Sequence, residues 1–472
     1  MLRDERLSAP LAQATPNGHN AALIAQLRAT LTGVVIGPGD DGYDRARMVF
    51  IGDVDRRPAV IVRAADVADV ARGVTVARES GLELAVRSGG HSSGGHGVCE
   101  GGIVLDLRDL RGLDIDVEAR TAWAGAGLTA GEYTEAAGAH GLATGFGDTG
   151  SVGLGGITLG GGVGFLARKH GLTIDDVLAA EIVTADGQIL HVDAGTHPDL
   201  FWAIRGGGGN FGVVTRFQYR LHEVDQIVGG MLFLPSTAET IAGFIAAAEA
   251  APEELTTILN VMPAPPMPMI PASLHGQLIL FAFMCYAGHV AQGEQVLAHF
   301  RALAKPLADM VRPMRYPQMY MPEDPDYRPT AVGHTMFLDG VDRDLARLML
   351  DHLQASDASM RVAQLRVLGG AVARVPPDAT AYAHRQRRIM VNLAAFYEGA
   401  ADRAARQAWL DGFARALDQG DGAAYVNFLG DEGHARVRDA YPGATWERLA
   451  AVKRRYDPHN LFHLNQNIAP AA

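Results

Sequence analysis

Two glycine-rich segments carry the residues of this sequence that are best suited to chemistry. The first, residues 87–96, reads Arg-Ser-Gly-Gly-His-Ser-Ser-Gly-Gly-His, and the second spans residues 147–164. Consecutive glycines let backbone N–H groups face an anion at close range, and serine and threonine hydroxyls add further donors. Two such loops can hold one pyrophosphate without a lysine or a metal. Tight turns between packed strands are the alternative, but a predicted strand that ends at Arg87, directly before the glycines, favours an anion site.

His91 lies in the first of these loops. A neutral imidazole there can act as a nucleophile toward a bound electrophilic cofactor, whereas the ordinary interpretation is a hydrogen-bonded loop residue. His91 and His96 are five residues apart, while paired ligands on a helix are three or four apart. Since no Cys, Asp or Glu complements the pair, the sequence predicts no metal site.

Two other segments match dinucleotide-binding patterns in their letters. Residues 125–130 follow a predicted strand, but they lead into the second glycine segment instead of a second parallel strand that ends in an acid. Residues 207–212 follow a predicted helix and open a strand, which reverses the order that a pyrophosphate site at a helix N-terminus requires. We therefore expect neither segment to bind a nicotinamide dinucleotide.

Hydrophobic periodicity predicts the elements that must position these loops. Helical spacing is present in residues 21–28 and 66–80, and Asp186-Gly187 predicts a hairpin turn. Short apolar runs predict strands at 59–63, 83–87, 103–107, 113–117, 121–124, 181–184, 188–192 and 211–221.

The composition changes near Gly229 and Gly230, which predicts a second α+β domain. Helical patterns at 237–250, 289–304, 342–355 and 402–419 alternate there with apolar strands at 277–285 and 389–396. The last segment contains a helix that ends at Tyr456, before the stop signal Asp457-Pro458. We predict three parts of the chain, at residues 1–225, 226–424 and 425–472.

The composition excludes several classes of protein. Of 472 residues, 48% are hydrophobic, and 41 Lys and Arg stand against 53 Asp and Glu, so we expect a globular chain without a nucleic-acid partner. Cys99 and Cys285 lack the spacing of a disulfide framework or a zinc site. Residues 1–18 are expected to be loosely ordered and lack the apolar run of a signal peptide, so we expect a cytoplasmic location and no membrane partner. Most of the excess among the 56 glycines lies between Gly81 and Gly171. No proline occurs in that stretch, which indicates that the glycines serve backbone geometry rather than disorder.

Several blocks of the sequence together carry a resemblance to a known family. They are residues 87–92, residues 149–162, the run Leu-Phe-Trp-Ala-Ile-Arg-Gly-Gly-Gly-Gly-Asn-Phe-Gly at 200–212, and residues 425–428 with 456–468. They resemble the berberine bridge enzyme-like FAD-linked oxidases of the vanillyl-alcohol oxidase superfamily. The resemblance implies a two-lobed p-cresol methylhydroxylase-type FAD-binding domain, with an α+β substrate domain that contains an antiparallel sheet. It also implies that the chain end returns to complete the FAD domain.

The resemblance further implies which residues hold FAD. His91 matches the histidine that bonds the flavin 8-methyl carbon, and Thr149 replaces a cysteine that makes a second link in many relatives, so we predict a single covalent link at His91. Val152 matches a position near flavin C4a where valine is typical of enzymes that use dioxygen. The other expected cofactor-binding residues are Arg87, Ser88, Gly89, Gly90, Ser92, Asp148, Thr149, Gly150, Gly153, Gly155, Gly156, Gly160, Gly161, Gly162, Gly212, Val214, Asn465 and Asn467.

The catalytic base is less well marked. Relatives often carry Tyr-x-Asn-Tyr, whereas this chain has Tyr425-Val426-Asn427-Phe428, and Phe428 cannot accept a proton. The candidate bases are Tyr425, Tyr397 and Tyr382, with Asn392 as a residue that orients the substrate; each also has an ordinary structural interpretation. His384 and Arg385, which weakly match a family pair, are expected to hold the domains together instead.

The predicted function is an FAD-dependent oxidase that moves a hydride from a small-molecule alcohol or amine to flavin N5 and reduces dioxygen to hydrogen peroxide. Two alternatives stay open, an FAD-containing cyclase or isomerase and a flavin-binding protein without turnover. Met262, Met267 and Met269 suggest an apolar pocket for a hydrophobic metabolite, although methionine over a core is commoner. A sugar is the competing substrate class, and the oligomeric state is left open.

Overall fold

The computed structural model describes residues 16–420 and 422–471. Most of the start that we expected to be loosely ordered, residues 1–15, lies outside the described residues. Helix α1 (Pro16–Thr30) opens the described part. Among the described helices, none is both long and apolar enough to cross a membrane.

The first sheet has four strands and places the first glycine loop. Its strands are β1 (Val34–Ile36), β2 (Val60–Arg63), β3 (Leu84–Arg87) and β4 (Ile103–Asp106), in the order β1-β2-β4-β3. The two pairings among β2, β4 and β3 are parallel, and β1 pairs antiparallel with β2. Helix α2 (Tyr43–Arg47) follows β1, and helix α3 (Val67–Ser80) begins where the Asp66 side chain accepts the Asp69 N–H. Strand β3 ends at Arg87, where the sequence predicts it.

The second sheet has five antiparallel strands and supports the second glycine loop. They are β5 (Leu113–Asp116), β6 (Thr121–Gly125), β8 (Val177–Val183), β9 (Ile189–Asp193) and β10 (Val213–Arg220), while β7 (Leu142–Ala143) pairs with β11 (His222–Glu223). The accompanying helices are α4 (Ala130–Gly138), α5 (Leu154–Gly160), α6 (Ala167–His170) and α7 (Pro198–Ala203). Residues 207–212 connect α7 to β10, in the order that excludes a Rossmann site.

The third sheet has eight antiparallel strands, which confirms the predicted α+β class. They are β12 (Gln226–Pro235), β13 (Leu255–Pro263), β14 (Leu278–Tyr286), β15 (Ala308–Asp309), β16 (Arg312–Arg315), β17 (Ala331–Leu338), β18 (Arg361–Val367) and β19 (Ile389–Phe396). Helices α8 (Ala238–Ala250), α9 (Val290–Arg301), α10 (Arg343–Ala355) and α12 (Gly399–Leu417) pack on one face, and α11 (Ala371–Arg374) precedes β19. On the other face, Asn260, Gln364 and Asn392 are cross-strand neighbours.

The chain end packs into the core of the first two sheets. After helices α13 (His434–Ala440) and α14 (Ala444–Tyr456), Phe462 and Ile468 join the same buried cluster as Phe211. The buried Lys453 ammonium donates to Asp457 at 2.6 Å and to the Asn210 and Phe462 carbonyls at 2.8 and 2.9 Å. The division into three parts at residues 225 and 424 remains a prediction.

A buried ion pair connects the third sheet to the first part of the chain. Arg385 donates to both Asp175 carboxylate oxygens at 2.7 Å and also to Thr380 at 2.7 Å. The Arg385 side chain is fully buried. This arrangement agrees with the expectation that the His384-Arg385 pair holds the two regions together.

Replacing Arg385 by Met should therefore lower the free energy of unfolding by about 3–5 kcal/mol, because Asp175 keeps a poorly solvated, uncompensated charge. Chemical denaturation measures the change. As a control, Arg374→Met breaks an exposed pair with Glu253 and should leave the midpoint unchanged. A loss below about 1 kcal/mol for Arg385→Met, the range of surface pairs, would contradict the role of this ion pair.

Candidate active site

A cavity of about 430 Å³ lies between the two glycine loops, the third sheet and the chain end. It is lined by most of the residues that we expected to bind a cofactor. These are Arg87, Ser88, Gly89, Gly90, His91, Ser92, Asp148, Thr149, Val152, Gly153, Gly155, Gly156, Gly212, Val214 and Asn465. Asn392 and Tyr425, two of the predicted catalytic residues, line it as well.

The two loops touch through their backbones. A Cβ on Gly89 would lie 2.3 Å from the Gly153 nitrogen, and a Cβ on Gly153 would lie 2.1 Å from Ser88 Oγ. Ser88 also donates to the Ala126 carbonyl at 2.6 Å. Only glycine allows this approach, so the residue type follows from packing between the loops as well as from room for a ligand.

Several residues predicted to be functional do not line the cavity. Gly160 instead makes room for Asn427, whose amide oxygen would lie 1.9 Å from an added Cβ, and the Gly162 N–H donates to Tyr425 at 2.8 Å. The Gly150 N–H donates to Glu323 at 2.7 Å. The residues concerned are Gly150, Gly160, Gly161, Gly162 and Asn467 among the expected cofactor ligands, and Tyr397 and Tyr382 among the candidate bases.

The position of Tyr397 differs most from the expectation. Its hydroxyl donates to Asp53, its backbone N–H donates to the Thr330 carbonyl at 3.1 Å, and its ring packs in the core between the third sheet and helix α12. The Tyr382 ring contacts Tyr425 edge-on at 6.0 Å, but its buried hydroxyl has no hydrogen-bond partner among the described residues. Neither phenol reaches the cavity.

The charged residues of the cavity wall are neutralised by partners. The buried Arg87 guanidinium donates to Asp106 and to the Ala46 carbonyl, both at 2.6 Å, so it faces the sheet and not a ligand. Asp148 accepts from Arg366 at 2.7 Å. An anion in this cavity would therefore depend on backbone N–H groups and hydroxyls.

His91 is held firmly in a neutral state. Its ring stacks on Phe50 with centroids 4.2 Å apart, and Nε2 lies 3.1 Å from Ser151 Oγ. Burial, helped by Arg328 and opposed by Glu323, lowers the pKa of His91 to about 4. Nε2 thus has a side-chain partner, whereas no side chain of the described residues is hydrogen-bonded to Nδ1.

Tyr425 contributes a phenol to the wall of the same cavity. Its oxygen accepts the Gly162 N–H at 2.8 Å and the Asn427 amide at 3.0 Å, while no described residue accepts its proton. Burial raises the pKa of Tyr425, against the effect of these donors. Tyr425 is therefore a neutral phenol that can exchange a proton with a bound molecule.

Some residues at this site were not among the predicted site residues. Asn427 and Phe428 line the cavity, and the Tyr-x-Asn-Phe run contains the signal that could have identified them. His96 also lines it, and burial lowers its pKa to about 4. Glu323, which contacts the second loop from a distant part of the chain, belongs to no recognisable motif.

These residues fit a dinucleotide that carries an aromatic ring system. Aliphatic walls from Leu84, Leu107 and Ile157 continue into glycine loops rich in N–H donors, and the buried Asn465 Oδ1 is an acceptor without a partner. Together with the neutral His91, this donor set suits FAD, with the loops at the pyrophosphate. The fold and the site define an FAD-binding oxidoreductase of the p-cresol methylhydroxylase type.

The comparisons with known proteins agree. A family described as FAD binding domain matches residues 58–193, and one described as berberine and berberine like matches residues 424–469. The chain is 32% identical to (R)-6-hydroxynicotine oxidase of Paenarthrobacter nicotinovorans, covering 93% of this chain and 97% of the relative. It is 27% identical to xylooligosaccharide oxidase of Thermothelomyces thermophilus, covering 88% of each. The crystal structure of 6-hydroxy-D-nicotine oxidase from Arthrobacter nicotinovorans matches with a TM-score of 0.83 at 28% identity, covering 94% of this chain and 99% of that one.

The chain belongs to the berberine bridge enzyme-like family of FAD-linked oxidases, and it is an enzyme.

The contact between the loops predicts a specific sensitivity to side chains. Gly153→Ala should lower the free energy of unfolding of the flavin-free protein by about 1–3 kcal/mol, because the new methyl overlaps Ser88 and Gly89. Gly156→Ala is the matched control, since nothing lies within 4 Å of its added Cβ, and alanine in helix α5 should be neutral or stabilise by about 0.5–1 kcal/mol. Equal effects of the two substitutions in chemical denaturation would contradict the packing.

Proposed function

We propose that this enzyme oxidises a C–H bond next to an alcohol or amine in a small molecule and passes the electrons to dioxygen, which becomes hydrogen peroxide. FAD, when bound, supplies the hydride acceptor. The observation that carries the proposal is that His91 and Tyr425, a neutral imidazole and an available phenol, line one cavity together with the glycine loops.

We propose a single covalent link between FAD and His91. The stacked Phe50 ring and the Ser151 contact hold the imidazole at the cavity wall, and its low pKa keeps it unprotonated at neutral pH. Thr149 also lines the cavity, and its hydroxyl is a far weaker nucleophile than a cysteine thiol. The two cysteines are buried, free and outside the cavity wall, which supports both the single link and a reducing, cytoplasmic location.

Tyr425 is the group that we propose to exchange a proton with the substrate. The N–H groups of Gly162 and Asn427 point at its oxygen and stabilise the negative charge that develops when the proton leaves. Asn392, on strand β19, lines the same cavity, which supports the proposal that its amide orients the substrate. Phe428 contacts Tyr425 edge-on at 5.0 Å and adds an apolar wall where relatives carry a second phenol.

The substrate that fits best is apolar with one polar group at the carbon that is oxidised. Val163 and Phe428 pack in one apolar cluster with Tyr425, and the Asn427 amide beside it is already bonded to Tyr425 and to the Ile157 carbonyl. Asn392 adds a further amide to the cavity wall, whereas a sugar needs many hydrogen-bond partners. Met267 and Met269 pack against a cluster that includes Phe233, so they support the sheet and do not line the cavity, and Met262 does not line it either. Val152 lines the cavity, which supports the use of dioxygen.

An oxygen-electrode screen tests the function. Purified protein, offered hydrophobic amines, hydrophobic alcohols and short oligosaccharides, should consume dioxygen and release peroxide with an amine or alcohol of the first two groups. Substrate conversion without oxygen uptake would indicate a cyclase or isomerase instead. A flavin that no compound reduces would indicate a binding protein without turnover.

Tyr425→Phe should slow flavin reduction by about 10²–10⁴-fold, the usual contribution of one acid-base group. Because burial raises the pKa of Tyr425, the phenolate is scarce at neutral pH, and the wild-type rate should rise as pH increases. The variant should lose the part of this rise that Tyr425 causes. Anaerobic stopped-flow measurements give both rates. Tyr382→Phe, the same change on a buried phenol outside the cavity, should leave the rate unchanged. An unaltered rate in Tyr425→Phe would exclude Tyr425 as the base.

A further inference from the structure

A chain of hydrogen bonds leads from His91 to a carboxylate that arrives from the third sheet. Ser151 Oγ lies 3.1 Å from His91 Nε2, and the same hydroxyl donates to Glu323 Oε2. The other Glu323 oxygen accepts the backbone N–H groups of Gly150 and Ser151, at 2.7 and 3.1 Å. Three donors therefore converge on one carboxylate, which suits its ionised form.

The segment that carries Glu323 is seated firmly against the first loop region. The Gly52 N–H donates to the Pro329 carbonyl at 2.9 Å, and the Tyr327 ring contacts Phe50 edge-on at 6.3 Å. Phe50 in turn stacks on His91. Glu323 is thus fixed relative to the imidazole by contacts on both sides.

The number of protons in this chain of hydrogen bonds determines which ring nitrogen of His91 carries the imidazole proton. Ser151 has one hydroxyl proton, and it points to Glu323 because a carboxylate only accepts. The serine oxygen then offers a lone pair to Nε2, so Nε2 must carry the imidazole proton. A neutral imidazole has a single N–H, which leaves the lone pair on Nδ1.

We propose that Glu323, acting through Ser151, fixes His91 in the Nε2–H tautomer and so makes Nδ1 the nitrogen that bonds to the flavin 8-methyl carbon. This inference rests on the proposed covalent link. Bond formation breaks a C–H bond of the methyl group with loss of its proton and forms the Nδ1–C bond, while the electron pair of the broken bond reduces the flavin. The Nε2 proton leaves through Ser151 toward Glu323. Dioxygen, the oxidant of the proposed reaction, then takes two electrons and two protons as hydrogen peroxide. Glu323 and Ser151 are positioning residues.

Glu323→Gln tests the relay with almost no change of shape. The amide oxygen can still accept the two backbone N–H groups, but its NH₂ then faces Ser151, whose proton turns toward His91 Nε2. His91 then adopts the Nδ1–H tautomer, and Nδ1 no longer has a free lone pair. Ser151→Ala removes the relay without changing the charge.

The experiment uses full-length protein produced without riboflavin and then given FAD. The time course of covalent labelling is followed by flavin fluorescence of the denatured protein, and reversible binding by FAD retained before denaturation. Glu323→Gln and Ser151→Ala should slow covalent labelling by about 10–100-fold, as removal of an orienting partner typically does, with reversible binding unchanged. Asp324→Asn, which changes a neighbouring carboxylate that accepts the Asp326 N–H, should behave like the wild type.

Nitrogen-15 NMR of histidine-labelled, flavin-free protein gives a second readout that a merely structural role would not move. Assigned with His91→Gln, the His91 signal should report Nε2–H in the wild type and Nδ1–H in Glu323→Gln. Normal labelling and an unchanged tautomer in Glu323→Gln would overturn the relay alone. A wild-type protein that binds FAD reversibly and never becomes labelled would instead overturn the covalent link, and the relay with it.

Discussion

The active site depends on one close contact between two stretches of backbone. Gly89 and Gly153 approach so closely that a methyl group on either would overlap the other loop. This contact brings His91, which follows a strand of the first sheet, beside Ser151 and Val152, which precede helix α5. The glycines are needed because the two loops must share one narrow space, and the cavity is what remains between them.

The charges around the cavity are arranged to leave it neutral. Arg87 is paired with Asp106 within the first sheet, and Asp148 is paired with Arg366 of the third sheet. The second pair also holds the third sheet against the glycine loops, as does the Arg385–Asp175 pair. Asn392 thereby lines the same cavity as His91 and Tyr425, so the interface between the sheets forms part of the site. The groups of the wall that lack an ionic partner, His91, Tyr425 and Asn392, are uncharged.

Local sequence patterns predicted much of the fold and the cofactor loops. The end of strand β3 at Arg87, the helix-to-strand order around residues 207–212 and the strand Ile389–Phe396 follow from short-range periodicity and turn residues, and the structure has them. The glycine loops were recognisable because most of the residues with which they line the cavity are consecutive or close together in the sequence.

What the sequence could not reveal depends on contacts between distant residues. The role of Gly160 and Gly162 beside Tyr425 and Asn427, and the direction of the Arg87 guanidinium toward Asp106, follow only from how the chain end and the strands assemble. The place of Tyr397 outside the cavity wall likewise depends on a distant contact, since its hydroxyl donates to Asp53, far along the chain.

Peptide mass spectrometry of the purified protein tests most directly whether this cavity holds FAD on His91. We expect one FAD on the peptide that contains His91, none on peptides that contain Thr149, Cys99 or Cys285, and none in a His91→Ala variant. A yellow protein with an unmodified His91 peptide, or with flavin attached at another residue, would contradict this expectation.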